Sequence, residues 1–466
     1  MANASNRPPT VGHAVRYGTP ADAAVLGDHR ADFDQLVVNA NMVAHAPAAV
    51  AGCIVERLAG KPFLIDPMTH VFQHALTHLL RDSNRPPTEI NPLKRTWVKL
   101  AGAYGDVFSS ALKSFHPIVP GDFAAEAVVD SVAERVAQFQ GTTLQAAFDA
   151  GPDHDLLEFA LVGPGGGDAG SAPMTPAAVV APYFFVADTE TAEWLDVNRR
   201  LAIAARSAVP GRPVFVEVVV EGRQTQQFYD QVARTYQGIS TDGFLLWVDR
   251  FVEAEATEVD LESYVALLKQ LGRIKPVTIL HGGYLAIVLG RFPQLAVAGV
   301  CHGMEYGEDR GVVPAGGGLP MAKFYHPKLH RRLSLADCIP VVAPYLTSAD
   351  HYRAFVCDCA ECEKMLGSDP NPVRAFARHY GDARPVSFAR RNQMVVLDYP
   401  TAETKAHCLS HYLESKRREY DEDDDLPTVV GRLRDTYEEL GRQAGQMVVS
   451  HVGRWIRLLE KIRDKT

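Results

Sequence analysis

The chain has 466 residues, 47% of them hydrophobic and 22% charged, the balance of an ordinary globular protein with enough apolar material for a core. Its 47 Lys and Arg against 56 Asp and Glu leave a formal charge of −9, a field that repels polyanions, so contact with nucleic acid has to come from a local basic patch. No apolar run of about 18 residues and no signal-peptide pattern is seen, which reads as a cytoplasmic protein with no membrane partner. Residues 1–30, rich in Ala, Asn, Pro and Gly without periodicity, read as a loosely held lead-in. From Phe33 onward, short apolar runs recur at 35–39, 62–66, 178–180, 213–219, 243–248, 276–280 and 296–300, with helical stretches such as 191–208 and 260–271 between them. Near-continuous apolar strands alternating with helices predict a parallel sheet covered on both faces, either a barrel or a doubly wound sheet. The stretch at about 94–148 is a helical insertion longer than a standard connection, and the Gly- and Pro-rich segment 162–173 is an exposed loop. The acidic run 421–425 reads as a solvated linker ahead of one amphipathic helix from about 428 to 463.

Several apolar runs end in residues that carry chemistry: Asp66, Asp249, His281-Gly282-Gly283 and His302-Gly303. In a (β/α)8 barrel these positions line the mouth where substrate binds. Cys357, Cys359 and Cys362 form a C-x-C-x-x-C cluster, a spacing that lets three thiolates converge on one cation in a tight turn. Tetrahedral Zn²⁺ needs a fourth ligand, for which His379, His407 and His411 are candidates. His407 is preferred because its helical stretch can fold back on the turn. With four protein ligands the Zn²⁺ is structural. Cys53, Cys301 and Cys338 read as small core residues.

The cysteine cluster followed by a helical histidine segment resembles the zinc subdomain of the tRNA-guanine transglycosylase family. The segment 61–66, ending in Asp66, resembles that family's second strand, and 241–244 the approach to its fifth. The segment 299–310, with 316–320 and 324–327, is similar to the family's divergent DNA-modifying branch, which places a 7-deazaguanine base in DNA. The resemblance implies a (β/α)8 TIM-type barrel over 31–350 carrying the helical insertion, a Cys3His zinc subdomain over 351–420, and a C-terminal helical tail over 421–466. It implies a pentosyltransferase that exchanges guanine for a 7-deazaguanine base in DNA or tRNA, DNA being favoured, with a homodimer or a helper protein left open. Two departures stand out. The region 298–302 has no Asp where the family keeps its nucleophile, and 218–221 lacks the family's base-reading Gln.

Base exchange needs one carboxylate to capture the anomeric carbon and a second acidic group to manage protons. Asp249 is assigned as nucleophile and Asp66 as general acid/base, with Glu305 and Glu308 as rivals for either role. Gly282, Gly283 and Gly303 would admit a flat base close to backbone amides. His302 would bind the base or orient a carboxylate, and Arg310 a phosphate. Lys323, Lys328, Arg331 and Arg332, interleaved with Phe324 and Tyr325 and free of acids, form a candidate phosphate-binding stripe. The run Lys416-Arg417-Arg418 extends it. Two other readings remain open: a zinc-dependent barrel hydrolase using His302 or His281 as ligands, and a nucleic-acid-binding protein that kept the barrel and lost the chemistry.

Overall fold

The computed structural model describes residues 11–19, 22–81, 92–150, 174–304, 307–313, 321–390 and 393–464. Eight strands form one sheet: β1 (Gly12–Tyr17), β2 (Gln35–Asn39), β3 (Phe63–Asp66), β4 (Val179–Val180), β5 (Val214–Val220), β6 (Gly243–Val248), β7 (Val277–Ile279) and β8 (Val297–Gly303). Their order is β3-β2-β1-β8-β7-β6-β5-β4, every pairing parallel. Ala177 donates to the carbonyl of Phe63 at 2.9 Å, drawing the two ends of that order together. With helices between the strands, this is a (β/α)8 barrel. The expected lead-in is corrected here: β1, unread in the sequence, lies inside it at the centre of the strand order and supplies two neighbours' worth of pairing.

Alternation along each strand decides what the barrel holds. Val15, Leu36, Val38, Ile65, Val216, Val218, Phe244 and Leu246 face the surrounding helices in the larger core. Ala14, Val37, Leu64, Val180, Val219, Leu245, Trp247 and Cys301 face inward and fill the barrel as a separate cluster. Both faces are apolar because both are covered, which is why the runs are continuous in sequence.

The insertion consists of helices Arg95–Tyr104, Asp106–Ser114 and Glu126–Asp149. The proposed loop at 162–173 lies outside the described residues. Beyond β8, short strands β9 (Phe324–His326) and β10 (Arg331–Leu333) lead into a second core built around Phe324, Tyr352, Phe376, Tyr380 and the three clustered cysteines. This unit includes the hairpin β11 (Ala383–Arg390) and β12 (Gln393–Pro400), and the long helix Ala402–Asp421.

The single C-terminal helix expected from the sequence is two, Leu426–Ala444 and Gln446–Arg463, broken at Gly445, whose φ of 94° only glycine adopts readily. The acidic run is no free linker. Glu422 pairs with Arg291 and Arg432, and Asp425 caps the next helix by accepting from Thr428 N at 2.9 Å. Among the described residues no helix is long and apolar enough to cross a membrane.

Candidate active site and metal centre

At the C-terminal ends of the strands the inward positions become polar. Arg16 follows Ala14 on β1, Asn39 follows Val37 on β2, Asp66 follows Leu64 on β3, and Asp249 follows Trp247 after β6. Asp66 is buried, and its Oδ2 accepts from both terminal nitrogens of Arg16 at 2.7 Å. Its Oδ1 accepts from the Tyr183 hydroxyl at 2.7 Å and from Met68 N at 2.9 Å. The turn that makes this possible carries Met68 at φ 53°, a strained conformation for a side chain of that size. Arg16 also donates to Asn39 at 2.7 Å.

Glu217 sits in the middle of β5 at an inward position between Phe215 and Val219. It is buried, and neither carboxylate oxygen has a hydrogen-bond partner. Burial first, then repulsion from Asp66, push its carboxyl well above the ordinary range, against the pull of Arg16. The sequence reading missed both Glu217 and Arg16. The available signal was a lone acid at an inward position of an otherwise apolar strand, and a lone Arg in the strand hidden in the supposed lead-in.

Asp249 lies on the same rim as Asp66, but its oxygens are engaged elsewhere. Oδ1 accepts from Val312 N at 2.8 Å and Oδ2 from Arg250 Nε at 3.0 Å. The carbonyl of Arg310 accepts from Arg250 N at 3.0 Å and from Trp247 Nε1 at 3.1 Å. Asp249 thereby anchors the segment after β8, in which the Arg310 guanidinium lies 5.7 Å from the Trp247 ring centre; that of Arg16 lies 5.8 Å from the same centre. A cavity of about 80 Å³ opens among Arg16, Asn39, His281, Gly303 and Arg310. His281 has no partner on either ring nitrogen, and burial keeps it neutral, well below its usual pKa.

His302 does not reach that cavity. It occupies an outward position on β8, where its Nε2 lies 2.8 Å from His13 Nε2, one nitrogen donating to the other, while His13 stacks on Tyr420. Burial holds His302 well below its usual pKa and His13 down at about 3. The pair is therefore neutral and internal, which corrects the base-binding role expected of His302. The glycines also have packing reasons. A Cβ at Gly282 would sit 2.7 Å from Val300 Cγ1, and one at Gly283 2.8 Å from Glu253 Oε2. Gly303 donates to Gly307 O at 2.7 Å.

Beside the mouth, sharing Gly307 with it, is a polar cavity of about 270 Å³ lined by Glu253, Glu308, Asp309, Lys323, Arg331 and Arg332 among others. Glu253 caps the short helix Tyr284–Leu289, accepting from Gly283 N at 2.7 Å and Leu285 N at 2.9 Å. Burial and the neighbouring Glu308 nonetheless push it up to about 7. Glu308 pairs with Lys416, which is buried and also donates to Glu419 at 2.9 Å. Glu419 accepts in addition from the Tyr325 hydroxyl at 2.5 Å and pairs with His330 Nδ1 at 2.6 Å.

Much of the expected basic stripe is turned to internal use. Lys416 is in this network, Arg417 pairs with Asp34 and Asp421, Arg418 pairs with Asp358, and Lys328 pairs with Glu439 at 3.6 Å. Arg331 faces Glu255 at 3.6 Å, and Arg332 donates to Met304 O at 2.7 Å. Lys323, Arg331 and Arg332 remain at the cavity wall. Glu305 and Gly316 to Gly318 lie outside the described residues.

The three thiolates do converge. Cys357, Cys359 and Cys362 gather around His411, all buried, with His411 Nδ1 at 3.9, 3.2 and 3.5 Å from their sulfurs. A sulfur and a nitrogen on one tetrahedral Zn²⁺ at ordinary bond lengths are about 3.6 Å apart. His411 Nε2 bonds to the carbonyl of Tyr325 at 2.7 Å, which leaves Nδ1 free to ligate. The group fits a metal ion, and the fourth donor is His411 rather than the expected His407, one helical turn away.

Among the described residues the only other grouping of three donors is Glu361, His379 and His407, so neither His281 nor His302 belongs to a set that the barrel-hydrolase reading requires. No protein-family model matches this chain, and no curated protein matches it either.

Proposed function

We propose that the chain is a base-exchanging transglycosylase that replaces guanine with a 7-deazaguanine base in nucleic acid, DNA being favoured over tRNA, with Zn²⁺ at the Cys3His site. The observation that carries the reading is a pair of buried carboxyls inside the barrel, Asp66 at the C-terminal end of β3 and Glu217 halfway along β5, in different surroundings. Asp66 is clamped by Arg16, and Glu217, beside a Tyr183 hydroxyl that is bonded to Asp66, is raised well above the ordinary carboxyl range by burial. A carboxyl clamped by a guanidinium and another that burial raises above its ordinary range are suited to separate nucleophilic and acid/base roles.

In this proposal Asp66 attacks the anomeric carbon of the target nucleotide. The glycosidic bond breaks, its electron pair goes to the departing guanine, and the Glu217 proton neutralises that base. The incoming base returns a proton to Glu217 as its nitrogen displaces the Asp66 carboxylate. Asp249 then acts as a positioning residue through the Arg310 segment. An ion held by Cys357, Cys359, Cys362 and His411 would tie the cysteine turn to the helix Ala402–Asp421, whose Lys416 reaches Glu308 beyond β8 at one side of the mouth. DNA is favoured by the likeness of 299–310 to the DNA-modifying branch.

The test incubates the protein with labelled guanine or a labelled 7-deazaguanine and either duplex DNA or tRNA. Label should enter DNA, Asp66→Asn should abolish transfer, and Glu217→Gln should slow it by about 10²- to 10⁴-fold. Asp249→Asn should retain transfer at a reduced rate. Binding of nucleic acid without label transfer to either polymer would overturn the reading in favour of a binding protein.

A further inference from the structure

The geometry points to a second metal site, formed by Glu361, His379 and His407, for a divalent ion of the zinc, cobalt or nickel class. The three residues come from three different helices, Ala360–Gly367, Pro372–Gly381 and Ala402–Asp421. Their convergence is therefore set by the fold of the subdomain and not by spacing along one helix. His379 Nε2 and His407 Nδ1 both aim at the same oxygen, Glu361 Oε1, at 2.7 and 2.6 Å. The two rings lie stacked, their centres 3.7 Å apart and their planes 18° apart.

Two imidazoles and one carboxylate directed at one point form a donor set that suits borderline divalent ions, with open positions for water or a further ligand. Neighbouring donors on such an ion stand about 3.0 Å apart in octahedral and about 3.4 Å in tetrahedral geometry at bond lengths near 2.1 Å, so each imidazole nitrogen has to draw back from Glu361 Oε1 by about 0.3–0.8 Å. Glu361 is buried while the two histidines are partly exposed, which gives an ion a route in. Glu361 also lies between two ligands of the first centre, Cys359 and Cys362. An ion at the Cys3His cluster would therefore fix the turn on which the second site is built. Glu361 Oε2 is held by Lys364 at 3.1 Å, leaving Oε1 as the ligating atom.

The experiment counts metal in the purified full-length protein after dialysis against excess Zn²⁺, and repeats it with Co²⁺ so that each site has its own spectrum. The expected result is about two ions per chain: one Co²⁺ giving intense thiolate charge-transfer bands, the second only weak bands of a nitrogen and oxygen environment. His379→Ala and His407→Gln should each weaken the second ion by about 10-fold or more while the thiolate bands stay unchanged, which also reports that the subdomain is folded. A count of one ion per chain in excess metal, or a second ion retained equally in both variants, would overturn the site and leave the triad as an ion pair joining three helices.

Discussion

Lys416 shows how much a single buried charge organises. Its ammonium is shut away from water between Glu308 and Glu419, over the rings of Tyr325 and Tyr412. A buried pair contributes little over a well-packed apolar substitute, but removing one partner strands the other in a medium of low polarity. Lys416→Met is therefore expected to cost about 3–5 kcal/mol, measured by denaturant unfolding, because two carboxylates lose their counterion together. Glu217 is the opposite case, a carboxyl with no buried counterion bonded to it, which burial raises well above its ordinary range. Its position was readable from alternation in β5, as was the outward direction of His302 in β8. Parity along a strand assigns faces once the strand is recognised, and Arg16 stayed hidden because β1 was not.

At the scale of elements, the break between the last two helices rests on Gly445, at φ 94° and ψ 148°. This backbone region is nearly closed to other residues, so Gly445→Ala should destabilise by about 1–3 kcal/mol even though nothing lies within 4 Å of the added methyl. Gly431, inside the helix Leu426–Ala444 and equally open, has no such demand. Gly431→Ala should stabilise by about 0.5–1 kcal/mol, and thermal melts of the two variants would display the opposite signs. The apolar pattern ran unbroken through this region in sequence, since both helices bury one face, and a single glycine is weak punctuation against it. The acidic run before them was misread for a related reason: composition reports charge, while the positions of Arg291 and Arg432 decide whether the charge is solvated.

Over the whole molecule, buried neutral histidines set the response to acid. Burial lowers His13 and His326 to about 3 and His74 and His451 to about 4, and takes His70, His281 and His302 well down. In the unfolded chain these groups titrate near 6.5, so between the two values the unfolded state binds more protons and stability falls as the pH drops. Glu217, Glu253, Glu308, Asp309, Glu414 and Glu422 act in the opposite sense, losing stability as the pH rises from the ordinary carboxyl range toward their raised values, and are fewer than the lowered histidines. The melting temperature at pH 5.5 should be several degrees below that at pH 7. An unchanged or higher value would contradict the burial of these rings.

The barrel and the cysteine-bearing unit have distinct core clusters, joined by the helix Ala402–Asp421, which gives Leu409 and Leu413 to the first and Cys408 to the second. Removing the metal with a strong chelator should melt the second while the first keeps its own transition in calorimetry. A single transition that is unmoved by chelation would mean the four donors hold no ion.

Alternating apolar runs and the C-x-C-x-x-C spacing were enough to predict parallel strands covered by helices and a three-thiolate cluster, because strand periodicity and a tight turn act over a few neighbouring residues. The choice between an open sheet and a closed ring depended on the meeting of β3 with β4, residues more than a hundred positions apart. The choice of His411 over His407 depended on how one helix is rotated against the cysteine turn. The two histidines lie on nearly the same helical face, so only the docking of that helix could distinguish them.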